Sequence, residues 1–151
     1  GKSTFINTLA GRVCAKTGNK PGVTKGNQWI RLNKNVELLD TPGILWPKFE
    51  DQQVGLHLAL IGSIKDDIIN IEELAYELVG FLKKEYPEIL QERYGFLPME
   101  NDYEVLKQIA QVRHCLLKGG DWNTEKASTI LLDDFRSGKL GRLSMEAAPK
   151  L

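Results

Sequence analysis

The first four residues, Gly1, Lys2, Ser3 and Thr4, place an amine and two hydroxyls directly after a glycine. A Gly-Lys-Ser/Thr run ends the P-loop, in which the lysine reaches the outer phosphates of a nucleotide and the hydroxyl binds Mg²⁺. A helix is predicted to begin here, and its first turn would add unpaired backbone N–H groups and the positive end of the helix dipole. The run is therefore a candidate phosphate-binding segment.

Asp40 begins a second candidate segment, Asp-Thr-Pro-Gly, which ends at Gly43. A strand predicted over residues 36–39 would place the Asp40 carboxylate at its carboxyl end, where it could hold Mg²⁺ through a water. The Gly43 N–H could then bind a γ-phosphate. Each segment alone has an ordinary explanation, because a helix can begin with a solvated lysine and Pro-Gly is common turn chemistry. Together, in this order, the two segments favour a nucleotide site.

Thr24 is a third candidate, in the loop between these two segments. It lies in residues 12–27, which are rich in glycine, poor in large apolar groups and predicted to form an exposed loop. A threonine shortly before a strand can place its hydroxyl on a nucleotide-bound Mg²⁺. Alone, Thr24 is more simply explained as an ordinary loop hydroxyl, but the flanking segments favour the metal.

The P-loop pattern is incomplete in this chain. The full pattern is G-x-x-x-x-G-K-[ST], and the chain begins at its second glycine. We therefore interpret the chain as a fragment that begins inside the P-loop, and we expect this fragment alone to be inactive or impaired. A sheet without its early strands would expose an edge, so the oligomeric state stays open, with pairing or strand exchange as one possibility for the fragment.

Turn signals and hydrophobic periodicity divide the chain into two parts. Residues 1–67 are interpreted as the latter portion of an α/β nucleotide-binding domain, with a helix over 2–10, a hairpin of strands 28–32 and 36–39, and a helix over about 51–64. Residues 68–151 are interpreted as an all-helical domain. Asn70 is expected to cap its first helix, and Pro87 and Gly95 to start and close the second. Asp102 is expected to cap a third helix that reaches about Leu117, and the last helix is expected from about Thr124 to Arg136.

Hydrophobic periodicity also predicts which residues share one side of each helix. The apolar residues are Phe5, Ile6 and Leu9 in the first helix, Val54, Leu58 and Ile61 in the second, and Tyr103, Leu106, Ile109, Ala110 and Leu117 in the helix expected from Asp102.

The composition is that of an ordinary globular protein, with 42% hydrophobic and 26% charged residues in 151. No apolar run approaches about 20 residues, so no membrane span is expected. Cys14 and Cys115 are interpreted as reduced thiols of a cytoplasmic protein. Counted from the sequence, the net charge is +5 for residues 1–45, −8 for 46–104 and +3 for 105–151. A nucleic-acid partner would therefore meet the ends of the chain more readily than its centre.

Four stretches of the sequence resemble the circularly permuted GTPases that assist ribosome assembly, in particular the ribosome biogenesis GTPase A group. They are GKSTFINTLAGR, AKTGNKPGVTKGNQWI, LLDTPGILWPKFED and GKLGRLS. The fold class that follows is α/β, a partial Ras-like, circularly permuted P-loop GTPase domain followed by an all-α helical domain. In that family Asn-Lys-x-Asp, which reads guanine, precedes the P-loop, and this sequence has no such motif after Asp-Thr-Pro-Gly. Guanine specificity therefore rests on the resemblance alone.

The resemblance implies a role for each candidate residue. Gly1, Lys2, Ser3 and Thr4 would bind the phosphates of GTP or GDP, and Mg²⁺ would be held by Ser3, Thr24 and Asp40. Gly43 would sense the γ-phosphate. Ile44 stands where Ras-like GTPases have the glutamine that orients water, so water must be positioned by another group, and K⁺ is a possible additional cofactor.

The resemblance also implies that the helical domain contacts rRNA of the large ribosomal subunit. Any one basic residue there is more simply a solvated surface charge, but several could reach phosphates. The candidates are Arg113, His114, Lys118, Lys126, Arg136, Lys139 and Arg142.

These observations predict a GTP-binding and GTP-hydrolysing assembly factor for the large ribosomal subunit, with hydrolysis stimulated by that subunit. One alternative is a non-catalytic helical module that binds RNA or the ribosome and has an incomplete nucleotide site. A second is an ATPase or kinase P-loop, which Asp-Thr-Pro-Gly disfavours because this motif suits switch chemistry.

Overall fold

The structure, a computed structural model, describes residues 1–18, 22–43 and 50–146. It divides into two compact units, residues 1–50 and residues 51–151, which we call the N-terminal unit and the helical unit. A short 3-10 helix lies at Asp66–Ile68. The other elements are α1 (Lys2–Ala10), β1 (Gln28–Arg31), β2 (Glu37–Asp40), α2 (Gln52–Leu60), α3 (Ile71–Glu85), α4 (Pro87–Tyr94), α5 (Asp102–Val112) and α6 (Thr124–Arg136).

The N-terminal unit contains α1 and an antiparallel hairpin of β1 and β2, as predicted. Gly11 ends α1 with φ 65°, a left-handed conformation that glycine adopts without strain. The hairpin pairs Ile30 with Leu38, and Ile30 packs with Ile6 of α1 in a small buried cluster that also contains Ala15. This packing fixes the start of α1 beside the carboxyl end of β2.

Only part of the predicted apolar face of α1 is buried. Ile6 is buried, whereas Phe5 and Leu9 are 66% and 54% exposed. The opposite face of the hairpin is exposed as well, because its cross-strand pair Trp29 and Leu39 is 69% and 41% accessible. The described core of this unit therefore lies on one side of the hairpin.

The helical unit is organised around α3, whose buried residues recur every three or four positions. Leu78, Val79 and Leu82 are fully buried there, and α3 contacts α2, α4, α5 and α6. Such a stripe buries one face of a helix against its neighbours. Asn70 caps α3 by accepting hydrogen bonds from two first-turn amides, as its position predicted.

The structure corrects the prediction for α5 at both ends. Its cap is Asn101, whose side chain accepts from the Tyr103 amide at 2.9 Å, while Asp102 is bound by Lys83 at 2.6 Å. The helix ends at Val112, because His114 adopts a left-handed φ of 52° and the chain turns away. Tyr103 and Leu117 are consequently exposed and do not belong to the core.

The structure also corrects α2, which ends at Leu60 because Gly62 takes a φ of 74°. Its buried residues are Ala59 and Leu60, whereas Ile61, predicted on the apolar side, is 54% exposed. Since α2 packs on α3, the division between units falls between residues 50 and 51, ahead of the boundary predicted after residue 67.

Candidate nucleotide-binding site

The amino end of α1 forms the base of the site. Gly1 is its N-cap, and no side chain in the described part of the chain caps this end. The first intrahelical bond runs from the Phe5 amide to the Gly1 carbonyl, at 2.9 Å. The amides of the first turn therefore lack side-chain acceptors, and they lie at the positive end of the helix dipole, which favours an anion.

Lys2, Thr24 and Asp40 meet at this end of α1. The Lys2 ammonium donates a hydrogen bond to Asp40 Oδ1 and another, of 3.2 Å, to Thr24 Oγ1. Gln28, which faces Asp40 across the hairpin, donates from Nε2 to Asp40 Oδ2 at 3.0 Å. Lys2 thus lies within hydrogen-bonding distance of both Thr24 and Asp40, which were predicted from separate segments of the sequence.

Asp40 is almost completely buried, with 1% of its surface exposed. The hydrogen bond from Lys2 lowers the pKa of this carboxyl below its ordinary value, burial opposes the shift, and the bond from Gln28 adds to the lowering. The charge of Lys2 acts in the same direction. Asp40 is therefore an anion at neutral pH, fixed in position by two donors.

A pocket of about 170 Å³ lies beside these residues. Of the predicted residues, all but the buried Asp40 line it, and four further residues complete the wall. The lining is Gly1, Lys2, Ser3, Thr4, Thr17, Gly18, Gly22, Val23, Thr24 and Gly43. Because the loop after α1 returns over the helix start, the pocket joins both predicted segments.

Thr17, Gly18, Gly22 and Val23 were not identified from the sequence. A side chain at residue 18 would place its Cβ 2.9 Å from Val23 Cγ2, which is closer than real Cβ contacts come. The glycine therefore permits the loop to fold back on itself at the pocket. The glycine content of the loop was the signal available in the sequence, but it does not specify which residues of the loop approach each other.

Asn7 holds the start of this loop against α1. Its Nδ2 donates to the Ala15 carbonyl at 2.8 Å, and its Oδ1 accepts from the amides of Cys14 and Ala15 at 2.9 and 2.7 Å. The side chain satisfies three backbone groups that would otherwise need water. Asn7 thereby helps to place Thr17 and Gly18 at the pocket, a role that sequence reasoning missed.

The donor set fits a magnesium ion that is bound together with phosphates. No group of three or more His, Cys, Asp or Glu residues in the described ranges could hold a metal by itself. Mg²⁺ is usually bound by one or two carboxylates together with waters and substrate phosphates. Asp40, with the hydroxyls of Ser3 and Thr24, could supply that kind of partial coordination. Ile44 and Pro21 lie outside the described residues.

The RNA-binding candidates occupy two kinds of position in the helical unit. Arg113 and Lys139 contact the buried Asp134, and Arg136 binds Asp66, so these side chains form ion pairs within the unit. The remaining candidates are exposed: His114, Lys118, Lys126 and Arg142. The first group has a structural role that the sequence did not reveal.

Two further expectations concern the chain as a whole. Cys14 and Cys115 are free thiols, as predicted. Among the described residues, every helix is too short or too polar to span a bilayer.

A P-loop lysine, a loop threonine and an aspartate at a strand end, gathered at the start of a helix, are typical of P-loop nucleotide-binding proteins. Comparison with known proteins agrees, since residues 1–112 match the family described as 50S ribosome-binding GTPase. The chain belongs to this family.

The chain is similar to proteins named ribosome biogenesis GTPase A and to structures named YlqF. It is 50% identical over 147 residues to ribosome biogenesis GTPase A of Bacillus cereus, covering 97% of this chain and 50% of that protein. The GDP-bound and GNP-bound structures of YlqF from T. maritima are each 30% identical with a TM-score of 0.61. The match covers 97% of this chain and 55% or 54% of those chains. The chain thus spans about half the length of the curated relatives it matches.

Proposed function

We propose that this chain supplies the phosphate-binding and switch residues of a cytoplasmic GTPase that assists assembly of the large ribosomal subunit. The observation that carries the proposal is the meeting of Lys2, Thr24 and Asp40 at the pocket beside the start of α1. Membership in the 50S ribosome-binding GTPase family supports it. The relatives named ribosome biogenesis GTPase A support the same assembly role.

The residues at the pocket would divide the work of binding. The Lys2 ammonium and the first-turn amides of α1 would bind phosphate oxygens, because both are donors at a positive helix end. Ser3, Thr24 and Asp40 would hold Mg²⁺, which when bound neutralises charge on the phosphates. Gly43, at the pocket wall, would offer its N–H to the γ-phosphate.

The ion pair between Lys2 and Asp40 sets a condition on binding. Asp40 is buried, and an unpaired buried carboxylate is strongly disfavoured. Nucleotide and Mg²⁺ together would satisfy both partners, since phosphate takes the place of the carboxylate beside Lys2 and the cation takes the place of the ammonium beside Asp40. We therefore expect nucleotide and Mg²⁺ to bind cooperatively.

Hydrolysis needs a group that positions water, and Ile44 has no donor or acceptor for this purpose. We propose that the large subunit stimulates hydrolysis, with K⁺ as a possible additional cofactor. The rate of phosphate release by the intact protein should rise when purified large subunits are added. Replacement of K⁺ by Na⁺ in the same assay would test whether K⁺ is a cofactor. An equal rate with and without subunits would contradict the stimulation.

The first test is binding of a fluorescent GTP analogue in Mg²⁺, with unlabelled GTP or ATP as competitor, to the 151-residue chain and to the intact protein. Lys2→Ala in the intact protein should abolish binding, whereas Lys34→Ala, in the exposed hairpin turn, should leave it unchanged. GTP, and not ATP, should compete. An intact protein that binds neither nucleotide would refute the site assignment.

The alternative is a helical module that binds RNA or the ribosome without nucleotide chemistry. It is favoured by the buried core of the helical unit, which is formed, among the described residues, by side chains of that unit. This alternative predicts that rRNA binding is the same with GTP, with GDP and without nucleotide. The GTPase proposal predicts that the three conditions differ.

A further inference from the structure

Asp134 on α6 is a buried carboxylate surrounded by three cationic side chains from separate elements. Arg93 of α4 donates from Nε to Oδ2 at 2.9 Å and from Nη2 to Oδ1 at 3.0 Å. Arg113, which follows α5, donates from Nη2 to Oδ2 at 3.4 Å, and Lys139 Nζ lies 3.4 Å from Oδ1. The Tyr94 hydroxyl donates to Oδ2 at 3.2 Å. We call Arg93, Arg113 and Lys139 the basic cluster.

The basic cluster has more positive charge than its carboxylate can neutralise. Arg93 alone, with two parallel hydrogen bonds, is sufficient to balance Asp134. Within the part of the chain that the structure describes, Asp134 is the carboxylate with which all three cations form ion pairs. Three cations around one anion leave a surplus of two positive charges at one place.

This surplus charge faces solvent. The side chain of Asp134 is 4% exposed, whereas those of Arg93, Arg113 and Lys139 are 30%, 31% and 57% exposed. The carboxylate therefore lies beneath the cations and holds them from the protein side. Each guanidinium uses at most two of its nitrogens on Asp134, so donors remain for another anion.

Two further contacts fix the cluster before any ligand binds. The Arg113 guanidinium lies over the Tyr94 ring, 5.2 Å from its centroid. The backbone amide of Lys139 donates to the Asp134 carbonyl at 2.9 Å, in a turn that continues to the exposed Arg142. The Arg113 side chain, held by Asp134 and Tyr94, therefore loses little conformational freedom when an anion binds, and the backbone bond fixes the turn that carries Lys139.

We propose that the basic cluster binds a backbone phosphate of RNA, and that Arg142, exposed three residues after Lys139 in the chain, contributes a further positive charge. Guanidinium groups bind phosphate oxygens in planar, paired geometry, and a neighbouring ammonium adds a point charge. The RNA as ligand rests on the proposed function, in which the partner is rRNA of the large subunit. The cluster would then act as an electrostatic anchor for the helical unit, without reading base sequence.

The test compares Lys139→Gln with Lys84→Gln in the 151-residue chain. Lys84 is 81% exposed on α3 and pairs with Glu85, so the control removes the same charge at another place on the unit. Binding of fluorescent rRNA purified from large subunits is measured by anisotropy over a range of salt concentrations. Lys139→Gln should weaken binding and lower the slope of log K against log salt by about 1, while Lys84→Gln should match the unchanged chain. Lys139→Arg should restore the slope.

A second readout separates the site from the proposed partner. Inorganic phosphate is titrated while the Nε–H resonances of Arg93 and Arg113 are followed by NMR. Saturable shifts that Lys139→Gln weakens and Lys84→Gln preserves would support the anion site. Equal behaviour of the two variants in both assays would overturn it, even if RNA binds elsewhere. A chain that shows the phosphate shifts but binds no rRNA would overturn the RNA assignment and the proposed partner, and not the geometry of the cluster.

Discussion

Arg136 binds Asp66 through two parallel hydrogen bonds of 2.8 Å, from Nη1 to Oδ2 and from Nη2 to Oδ1. The same guanidinium donates to the carbonyls of Leu60 at 3.0 Å and Ala59 at 2.9 Å. Those carbonyls belong to the last turn of α2, where intrahelical donors run out. One side chain at the end of α6 therefore joins the end of α2 and the short 3-10 helix to α6.

Replacement of Arg136 by methionine should destabilise the helical unit. The change keeps part of the apolar stem but removes four hydrogen bonds and leaves the Leu60 carbonyl without its donor. We expect the free energy of unfolding to fall by about 2–3 kcal/mol, as for charged hydrogen bonds with buried acceptors. Urea unfolding followed by circular dichroism measures this loss. Arg142→Met, at an exposed position, is the control, and equal midpoints for the two variants would refute the role of Arg136.

The cap of α6 gives a second prediction. Asn123 Oδ1 accepts from the Lys126 amide at 2.8 Å, so Asn123→Ala removes a partner from the first turn. The expected loss is about 1 kcal/mol. Asn123→Asp keeps an acceptor at the same place and should retain most of the stability. Thermal unfolding of the three chains checks the order, and a loss of the same size in Asn123→Asp would show that capping is not the cause.

Asp134 predicts how the helical unit responds to acid. Burial raises the pKa of this carboxyl, but the hydrogen bonds and charge of Arg93, with help from Tyr94 and Lys139, lower it below the ordinary value. A carboxyl with a lowered pKa in the folded state adds stability above the unfolded-state pKa of about 3.9. That stability is lost as the pH falls through the lower, folded-state value.

The Asp134→Asn chain should therefore be less stable than the unchanged chain at neutral pH, because three cations lose their anion. Below about pH 4 its free energy of unfolding should fall less than that of the unchanged chain. Urea midpoints at a series of pH values from neutral to acid give the comparison. Asp133→Asn, at the exposed neighbouring position, should follow the unchanged chain. A variant at Asp134 with the same acid dependence as the unchanged chain would contradict this account.

Asn7 gives a prediction that links the loop after α1 to the proposed nucleotide site. Asn7→Ala removes its three hydrogen bonds to the backbone of Cys14 and Ala15. The loop carrying Thr17 and Gly18 should become less ordered, and binding of the GTP analogue by the intact protein should weaken several-fold. Thr8→Ala, which loses only a bond within α1, is the matched control. Equal affinity in Asn7→Ala would show that the loop is ordered by other contacts.

Local sequence signals predicted the elements that depend on neighbouring residues. The bounds of α4 and α6 agree with the prediction because Pro87, Gly95 and the apolar repeat from Ala127 act within a few turns. The prediction for the end of α5 was wrong because His114 takes the left-handed conformation, which is uncommon for any residue other than glycine. Nothing in its immediate neighbours marks that position.

That Lys2, Thr24 and Asp40 would meet could be predicted from the sequence, while their roles at a nucleotide stay predictions. Lys2, Thr24 and Asp40 belong to patterns that nucleotide sites require, and the structure brings them together. Asn7 beside the pocket and the ion pairs of the helical unit were missed because their partners are backbone groups or are distant in the sequence. Arg93 meets Asp134 across 41 positions, and Arg136 meets Asp66 across 70. Such pairs depend on how helices pack, which a local pattern does not encode.

The pairing of Lys2 with Asp40 separates two kinetic effects in the proposed nucleotide site. At a distance the two opposite charges act as a small dipole and attract an incoming anion only weakly. The long-range attraction therefore depends on the other charges of residues 1–45, where the net charge is +5. Neutralising peripheral lysines should therefore slow association in a manner that salt reproduces, whereas changes at Lys2 should mainly shorten the lifetime of the complex.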